Sequence, residues 1–178
     1  RTGAASGIAT KMLAVEDASV GLVIGAGAQA RTQALAIDAV RDLKEIRIYA
    51  RNPAAGHALV NELSGALSAE PLFVESLADA VVGAQIICMA TSAREPLLLP
   101  EMLEPGMHVN AVGSFRPEMR EFSVGVVARS RVFVDSVSAC SHGGPCSSPP
   151  GSGQVARAHL LCERGGCRVA GGRAHHGG

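Results

Sequence analysis

The chain has no excess of charge of either sign, because 16 lysine and arginine residues are matched by 16 aspartate and glutamate residues. Nucleic-acid and anionic membrane surfaces attract strongly basic proteins, so we expect a small-molecule partner rather than nucleic acid or membrane. No apolar run approaches the roughly 18 residues of a membrane span, and no signal-peptide core follows Arg1. These absences predict a soluble, cytoplasmic protein.

The cysteines show no pairing pattern, since none of the five lies in a CxxC motif. A reducing compartment is therefore the simpler expectation. Four of them lie after Ala139 in a segment rich in glycine and histidine, where the hydrophobic periodicity ends. We predict a disordered tail over 139–178. A metal site is the alternative for this segment, but the spacing matches no zinc finger or ribbon, so no metal is expected.

Between Ser19 and Asp135, short β-branched runs alternate with alanine-rich stretches of helical length. This alternation predicts an α/β fold, and the nearly continuous apolar runs predict a parallel sheet buried on both faces. We expect one dinucleotide-binding domain over 19–138. An N-terminal helix within 1–18 should precede its first strand. Strands are predicted at 21–24, 46–49, 72–74, 85–90, 108–112 and 131–134, and helices at 3–13, 28–40, 53–67 and 77–82.

A glycine-rich turn, GAGAQA at 25–30, follows the first predicted strand and opens a predicted helix. In a Rossmann-type doubly wound sheet, Gly25 would form the tight turn, Gly27 would admit a pyrophosphate and Ala30 would pack the helix on the strand. An ordinary glycine-rich turn is the alternative. The downstream βα elements favour the nucleotide-binding half of a nicotinamide-dependent oxidoreductase.

The end of the second predicted strand indicates which dinucleotide is preferred. An NAD site usually places an acid there for the ribose 2′-hydroxyl, whereas this chain has Ala50 followed by Arg51 and Asn52. The arginine fork can pair with a 2′-phosphate, so we predict NADP, with NAD possible. A solvated turn arginine is the alternative interpretation.

Several motifs in the same order resemble the ornithine cyclodeaminase/mu-crystallin family over residues 1 to about 139. They are RTGAAS at 1–6, GAGAQA at 25–30, ATS at 90–92, EP at 95–96, HVNAVGS at 108–114 and VDS at 134–136. Members of this family are two-domain homodimers that transfer hydride between nicotinamide and cyclic imino acids or amino acids. The resemblance thus implies an oxidoreductase that is a homodimer.

The resemblance also implies roles for individual residues. Arg1 would bind the substrate carboxylate, which suits its bidentate fork. Together with the second-strand interpretation, the predicted cofactor-binding residues are Thr2, Gly25, Ala26, Gly27, Ala28, Gln29, Ala30, Arg51, Asn52, Thr91, Ser92, Val112 and Gly113. Turn capping by Thr91 and Ser92, and core packing by Val112, are alternatives that can coexist with cofactor contact.

One departure from the family bears on the reaction. Cyclodeaminase members carry a catalytic aspartate after the fifth strand, where this chain has Phe115, which cannot relay a proton. Reduction of a cyclic imine carboxylate, such as pyrroline-2-carboxylate or piperideine-2-carboxylate, needs no such acid, so the chain resembles the reductase branch. A cyclodeaminase and a mu-crystallin-like NADP-dependent ligand-binding protein remain alternatives. Glu118 and Glu121 could replace the acid, although solvated loop carboxylates are the commoner explanation.

The motifs begin at Arg1, whereas family members carry a substrate and dimerisation domain before that arginine. We therefore expect that domain and the remaining catalytic residues to be missing, so that the chain alone is an inactive fragment. The abrupt end of the resemblance near residue 139 also predicts that the tail is frame-shifted, if it is not disordered.

Overall fold

The computed structural model describes residues 1–113, 119–134 and 158–162. In these ranges the helices are α1 (Thr2–Leu13), α2 (Ala28–Asp38), α3 (Pro53–Leu63), α4 (Leu77–Val81) and α5 (Val124–Ala128), with a 3-10 turn at Pro100–Met102. The strands are β1 (Val20–Ile24), β2 (Glu45–Tyr49), β3 (Glu70–Phe73), β4 (Ile86–Met89), β5 (His108–Ala111), β6 (Ser130–Val134) and β7 (Ala158–Cys162). No helix of the described residues is long and apolar enough to cross a membrane.

The strands form one seven-stranded sheet in the order β3-β2-β1-β4-β5-β7-β6. Strands β1 to β5 are parallel. The chain runs outward from β1 to β3, crosses back to β4 on the other side of β1, and continues outward to β5. This order confirms the predicted Rossmann-type fold. It also places the reversal of strand order between β1 and β4, where open α/β sheets bind their ligands.

The predicted all-parallel sheet is wrong at one edge, because β7 is antiparallel to both β5 and β6. Its Leu160 is fully buried opposite Val109. A five-residue run inside a glycine- and histidine-rich segment carries no strand signal strong enough to be recognised, so sequence reasoning assigned no regular structure there. The other residues of 135–178 lie outside the described residues. The predicted disorder is wrong for 158–162, which form β7, and stays a prediction for the rest of the tail. The shifted frame also stays a prediction, which DNA sequencing across codons 136–144 tests.

The two faces of the sheet have separate apolar cores, as a doubly wound fold requires. One core lies under α1, α2 and α3 and includes Val23, Ile37 and Ile48. The other lies under α4 and α5 and includes Leu22, Met89 and Val126. Strand residues thus alternate between two buried faces, which explains the nearly continuous apolar runs.

The helix boundaries differ from the sequence prediction by one to four residues, most at the end of α3, and one further helix, α5, was not predicted. Helix α3 ends at Leu63 rather than at residue 67, because the backbone of Ser64 turns to ψ 121°. Helix α5 was not predicted, since its sequence VGVVA consists mainly of residues with low helix propensity. Its Val126 is fully buried, so packing against the sheet stabilises a helix that the local sequence does not favour.

Helix α1 packs on α2 through small residues. A Cβ added to Gly3 would lie 2.7 Å from the carbonyl oxygen of Thr32, and one added to Gly7 would lie 3.2 Å from that of Ala36. One turn along α1, from Gly3 to Gly7, corresponds to one turn along α2, from Thr32 to Ala36. The two helices therefore run parallel, and their N-termini lie side by side. Because α2 begins at the carboxyl end of β1, the N-terminus of α1 lies at that edge too.

Candidate functional site

The turn after β1 holds Gly25 in a conformation that other residues rarely adopt, with φ +123°. Its N–H donates to the carbonyl of Tyr49 at the end of β2 (2.8 Å). A Cβ added to Gly25 would collide with the carbonyl oxygen of Ala90, which follows β4. Glycine is therefore required here by both backbone angle and close approach, and the turn is fixed against the ends of two neighbouring strands.

Gly27 faces open space instead. Gly27 is the N-cap of α2, and no side chain of the described residues accepts a hydrogen bond from the first-turn N–H groups of that helix. A Cβ added to Gly27 would meet nothing within 4 Å. Gly27, Ala28 and Gln29 are exposed. The first amides of an 11-residue helix therefore remain free of a side-chain cap beside an open surface, which is the geometry that binds phosphate.

Ala30 is fully buried in the core under α2, whereas Ala26 is half-buried. The burial of Ala30 fits the prediction that a small residue replaces the third glycine of the motif, where helix and strand approach closely. Arg1 is exposed and Thr2 is half-buried, and both lie at the N-terminus of α1. The parallel packing of α1 on α2 brings these two residues to the same edge as the glycine turn.

The end of β2 lies beside the glycine turn, through the Gly25–Tyr49 hydrogen bond. Ala50 is buried, and Arg51 is exposed. The Asn52 side chain caps α3, accepting hydrogen bonds from the N–H groups of Ala54 (3.1 Å) and Ala55 (3.4 Å). Asn52 therefore has a structural role, whereas Arg51 is simply exposed next to it.

The ends of β4 and β5 are joined by a buried carboxylate. Oε1 of Glu121 accepts from the N–H (2.7 Å) and hydroxyl (2.9 Å) of Thr91, and Oε2 accepts from the N–H of Gly113 (2.7 Å). Thr91 Oγ1 also accepts from Ala93 N–H, so its predicted turn-capping role is confirmed. Val112 is half-buried and its N–H donates to Met89. Ser92 is exposed.

Sequence reasoning named Glu121 only as a possible replacement for the missing acid and did not predict that it joins two strand ends. The solvated loop carboxylate that was the preferred explanation is wrong, because only 1% of the residue is exposed. The only local signal is its position directly before the buried Phe122. The donors that hold it come from two other strand ends, which no short-range pattern reveals. Phe115 and Glu118 lie outside the described residues.

A buried polar network fixes α1 on the sheet. Asn110 of β5 donates to the hydroxyl of Thr10 in α1 (2.9 Å). Its Oδ1 accepts from His108 Nε2 (3.1 Å) and from His159 Nδ1 (2.6 Å). At the C-terminus of α1, the guanidinium of Arg41 donates to carbonyl oxygens that include those of Thr10 and Ala14. The helix that carries Arg1 and Thr2 is thus held along its length.

Burial in this network shifts the pKa values of two side chains, His108 and Cys88. The pKa of His108 is lowered to about 4, mainly by burial and further by the nearby His159 and Arg41. The hydrogen bond to Asn110 opposes this change and raises the pKa in part. Burial raises the pKa of the Cys88 thiol to about 12. Both groups are therefore neutral at neutral pH and serve packing. No group of three or more metal-ligating side chains is found among residues 1–113, 119–134 and 158–162.

Comparison with known proteins assigns this arrangement to a family. A sequence model of the ornithine cyclodeaminase/mu-crystallin family matches residues 1–165. The chain belongs to this family. The match continues well beyond residue 139, where the short motifs had predicted that the resemblance ends, and it includes β7.

Relatives in the ornithine cyclodeaminase/mu-crystallin family include the Δ1-pyrroline-2-carboxylate reductase of Bacillus cereus, which is 39% identical over 137 residues. That alignment covers 76% of this chain and 42% of the relative, so the chain spans less than half the length of that protein.

Solved structures of relatives share the fold. The Δ1-pyrroline-2-carboxylate reductase of Thermococcus litoralis, in complex with NADH and L-proline, superposes on this chain with a TM-score of 0.76 at 38% sequence identity. The superposition covers 79% of this chain and 43% of the Thermococcus litoralis chain. The iminosuccinate reductase of Paracoccus denitrificans, in complex with NAD⁺, has a TM-score of 0.73 at 29% identity, covering the same shares of 79% and 43%.

Proposed function

We propose that the protein containing this chain is a nicotinamide-dependent reductase of a cyclic imine carboxylate, such as pyrroline-2-carboxylate or piperideine-2-carboxylate. The observation that carries the proposal is the open, uncapped turn at Gly27, which lies where the strand order reverses, in a family whose members include imine reductases. Because the chain spans less than half of those relatives, the proposal concerns the whole protein.

The residues present fit a dinucleotide. The open space at Gly27 and the uncapped amides of α2 suit the pyrophosphate. The turn at Gly25 lies between the end of β2, on the expected adenosine side, and the end of β4, on the expected nicotinamide side. A bound reduced nicotinamide would supply the hydride, and the protein's contribution is to bind and orient the reactants.

Substrate binding is assigned to Arg1. The proposal is supported by the exposed position of Arg1 at the N-terminus of α1, at the same edge as the glycine turn, because an arginine there can pair with a carboxylate through two hydrogen bonds. A carboxylate held in this way fixes the orientation of the adjacent imine carbon. The presence of Phe115, instead of an acid that deamination and ring closure would need, favours simple imine reduction.

The test uses the full-length protein, with this chain alone as a second sample. We expect the full-length protein to oxidise reduced nicotinamide in the presence of either cyclic imine carboxylate, as measured by absorbance. We expect the chain alone to bind the dinucleotide without turnover. Arg1→Lys should raise the KM for the imine, because an ammonium cannot form the bidentate pair. Ammonia release from ornithine at a comparable rate would instead establish a cyclodeaminase.

For the dinucleotide, the proposal is a preference for NADP over NAD. The side chain of Ala50 cannot accept a hydrogen bond from a ribose 2′-hydroxyl as a carboxylate would, and the exposed Arg51 beside it can pair with a 2′-phosphate. The solved relatives named above contain NADH or NAD⁺, so the preference rests on these residues of this chain alone.

Fluorescence titration with NADPH and NADH measures this preference. Arg51→Ala should weaken NADPH about tenfold or more and leave NADH nearly unchanged, because a charge-assisted contact is lost only with the phosphorylated cofactor. Lys44→Ala is the matched control, since Lys44 is exposed next to the opposite end of β2. Equal affinities for the two cofactors in the parent protein would refute the preference without affecting the proposed reaction.

A further inference from the structure

The carboxylate of Glu121 lies in the part of the fold that the proposed function assigns to nicotinamide. Within the described residues, its two oxygens accept from three donors on Thr91 and Gly113, and these residues follow β4 and β5. The side chain is buried, so water does not compete for these bonds. A buried carboxylate needs such donors to offset the cost of desolvation.

The atoms around the carboxylate of Glu121 are also tightly packed. A Cβ added to Gly113 would collide with Oε1 of Glu121 and with the carbonyl oxygen of Thr91. The carbonyl of Glu121 accepts from the N–H groups of Leu97 (2.9 Å) and Leu98 (3.1 Å). The residue is therefore anchored by its backbone on one side, while its side chain fixes two strand ends on the other.

The arrangement requires an acceptor at both side-chain oxygen positions. The N–H of Thr91 and the N–H of Gly113 each donate to a different oxygen of the carboxylate. In a glutamine, one oxygen is replaced by an NH₂ group, which would place a donor against a donor at one of the two positions. Such a change keeps the shape of the side chain but displaces one of the two peptides.

We propose that Glu121 is a positioning residue for the nicotinamide half of the cofactor, acting through Thr91 and Gly113. This inference rests on the proposed function. The adenosine half is expected at the end of β2, which three strand spacings, or about 14 Å, separate from β5. Loss of the carboxylate should therefore affect the nicotinamide end selectively.

The test compares ligands with and without nicotinamide on the full-length protein. We expect Glu121→Gln to raise the Kd for the reduced dinucleotide about tenfold, since a charge-assisted hydrogen bond is lost. The Kd for the matching nicotinamide-free probe, 2′-phospho-ADP-ribose or ADP-ribose, should stay within about twofold. Titration calorimetry gives both constants, and Glu104→Gln, at an exposed position, is the matched control.

The outcomes separate this inference from the proposed function. If the parent protein binds neither probe, the proposed function fails. If the parent binds both and Glu121→Gln weakens both equally, or neither, the positioning role is overturned.

A second variant covers the case in which Glu121→Gln does not fold. Thr91→Val removes one of the three donors and leaves the carboxylate in place. It should produce a smaller shift of the same selectivity, about threefold in the Kd for the dinucleotide alone. An equal effect of Thr91→Val on both probes, or no effect, would also overturn the inference.

Discussion

Two glycines only two residues apart should respond in opposite ways to the same substitution. Gly25 has φ +123° and its Cβ position is blocked by the carbonyl of Ala90, whereas Gly27 has φ −93° and an empty Cβ position. Alanine fits the backbone of Gly27 without strain, but its methyl group would project into the open space beside the amides of α2. We therefore expect Gly25→Ala to damage the fold and Gly27→Ala to damage ligand binding.

The magnitudes follow from these geometries. An alanine forced into the conformation of Gly25 costs about 1–3 kcal/mol, before any shift that relieves the collision with Ala90. For a chain of this size that corresponds to a fall in Tm of roughly 2–12 °C. Gly27→Ala should lower the free energy of unfolding by only about 0.5–1 kcal/mol, because alanine is a poorer N-cap than glycine, but it should weaken the dinucleotide about tenfold to a hundredfold.

Differential scanning calorimetry without ligand measures the first effect, and fluorescence titration with the reduced dinucleotide measures the second. The reasoning would be refuted if Gly27→Ala lowered Tm as much as Gly25→Ala, or if it left the Kd unchanged. A Gly25→Ala variant with the parent Tm would equally show that the turn is not held as described.

The remaining predictions concern stability. Because burial holds the pKa of His108 at about 4, below its ordinary 6.5, the unfolded chain takes up a proton that the folded chain does not. Acidification through this window should therefore remove about 3 kcal/mol of stability. Urea unfolding at several pH values should show this loss in the parent and in His57→Asn, at an exposed site, but not in His108→Asn. Arg41→Lys should lower the free energy of unfolding by about 2 kcal/mol, because one ammonium cannot reach all the carbonyls at the C-terminus of α1; the exposed Arg94→Lys is the calorimetric control. Asn52→Ala should cost about 1 kcal/mol through loss of the cap on α3, whereas Asn52→Asp should retain it in chemical denaturation.

The candidate site was predictable where it depends on consecutive residues. The GAGAQA turn follows an apolar strand and precedes a helix, so the sequence alone predicted a nucleotide-binding turn there. The structure adds that Gly25 and Gly27 have different reasons to be glycine. That difference depends on the approach of Ala90 from another strand, which the sequence cannot show.

Sequence by itself determined the α/β class, the parallel direction of the first five strands and the family, because periodic burial and local turn chemistry are properties of short segments. Only the tertiary structure decided the roles of β7 and Glu121. A strand in the tail is stabilised by the backbone groups of β5 and β6, and its own sequence is a weak signal. The burial of Glu121 depends on donors from Thr91, 30 residues away, and from Gly113, 8 residues away, which meet only when β4 and β5 are paired.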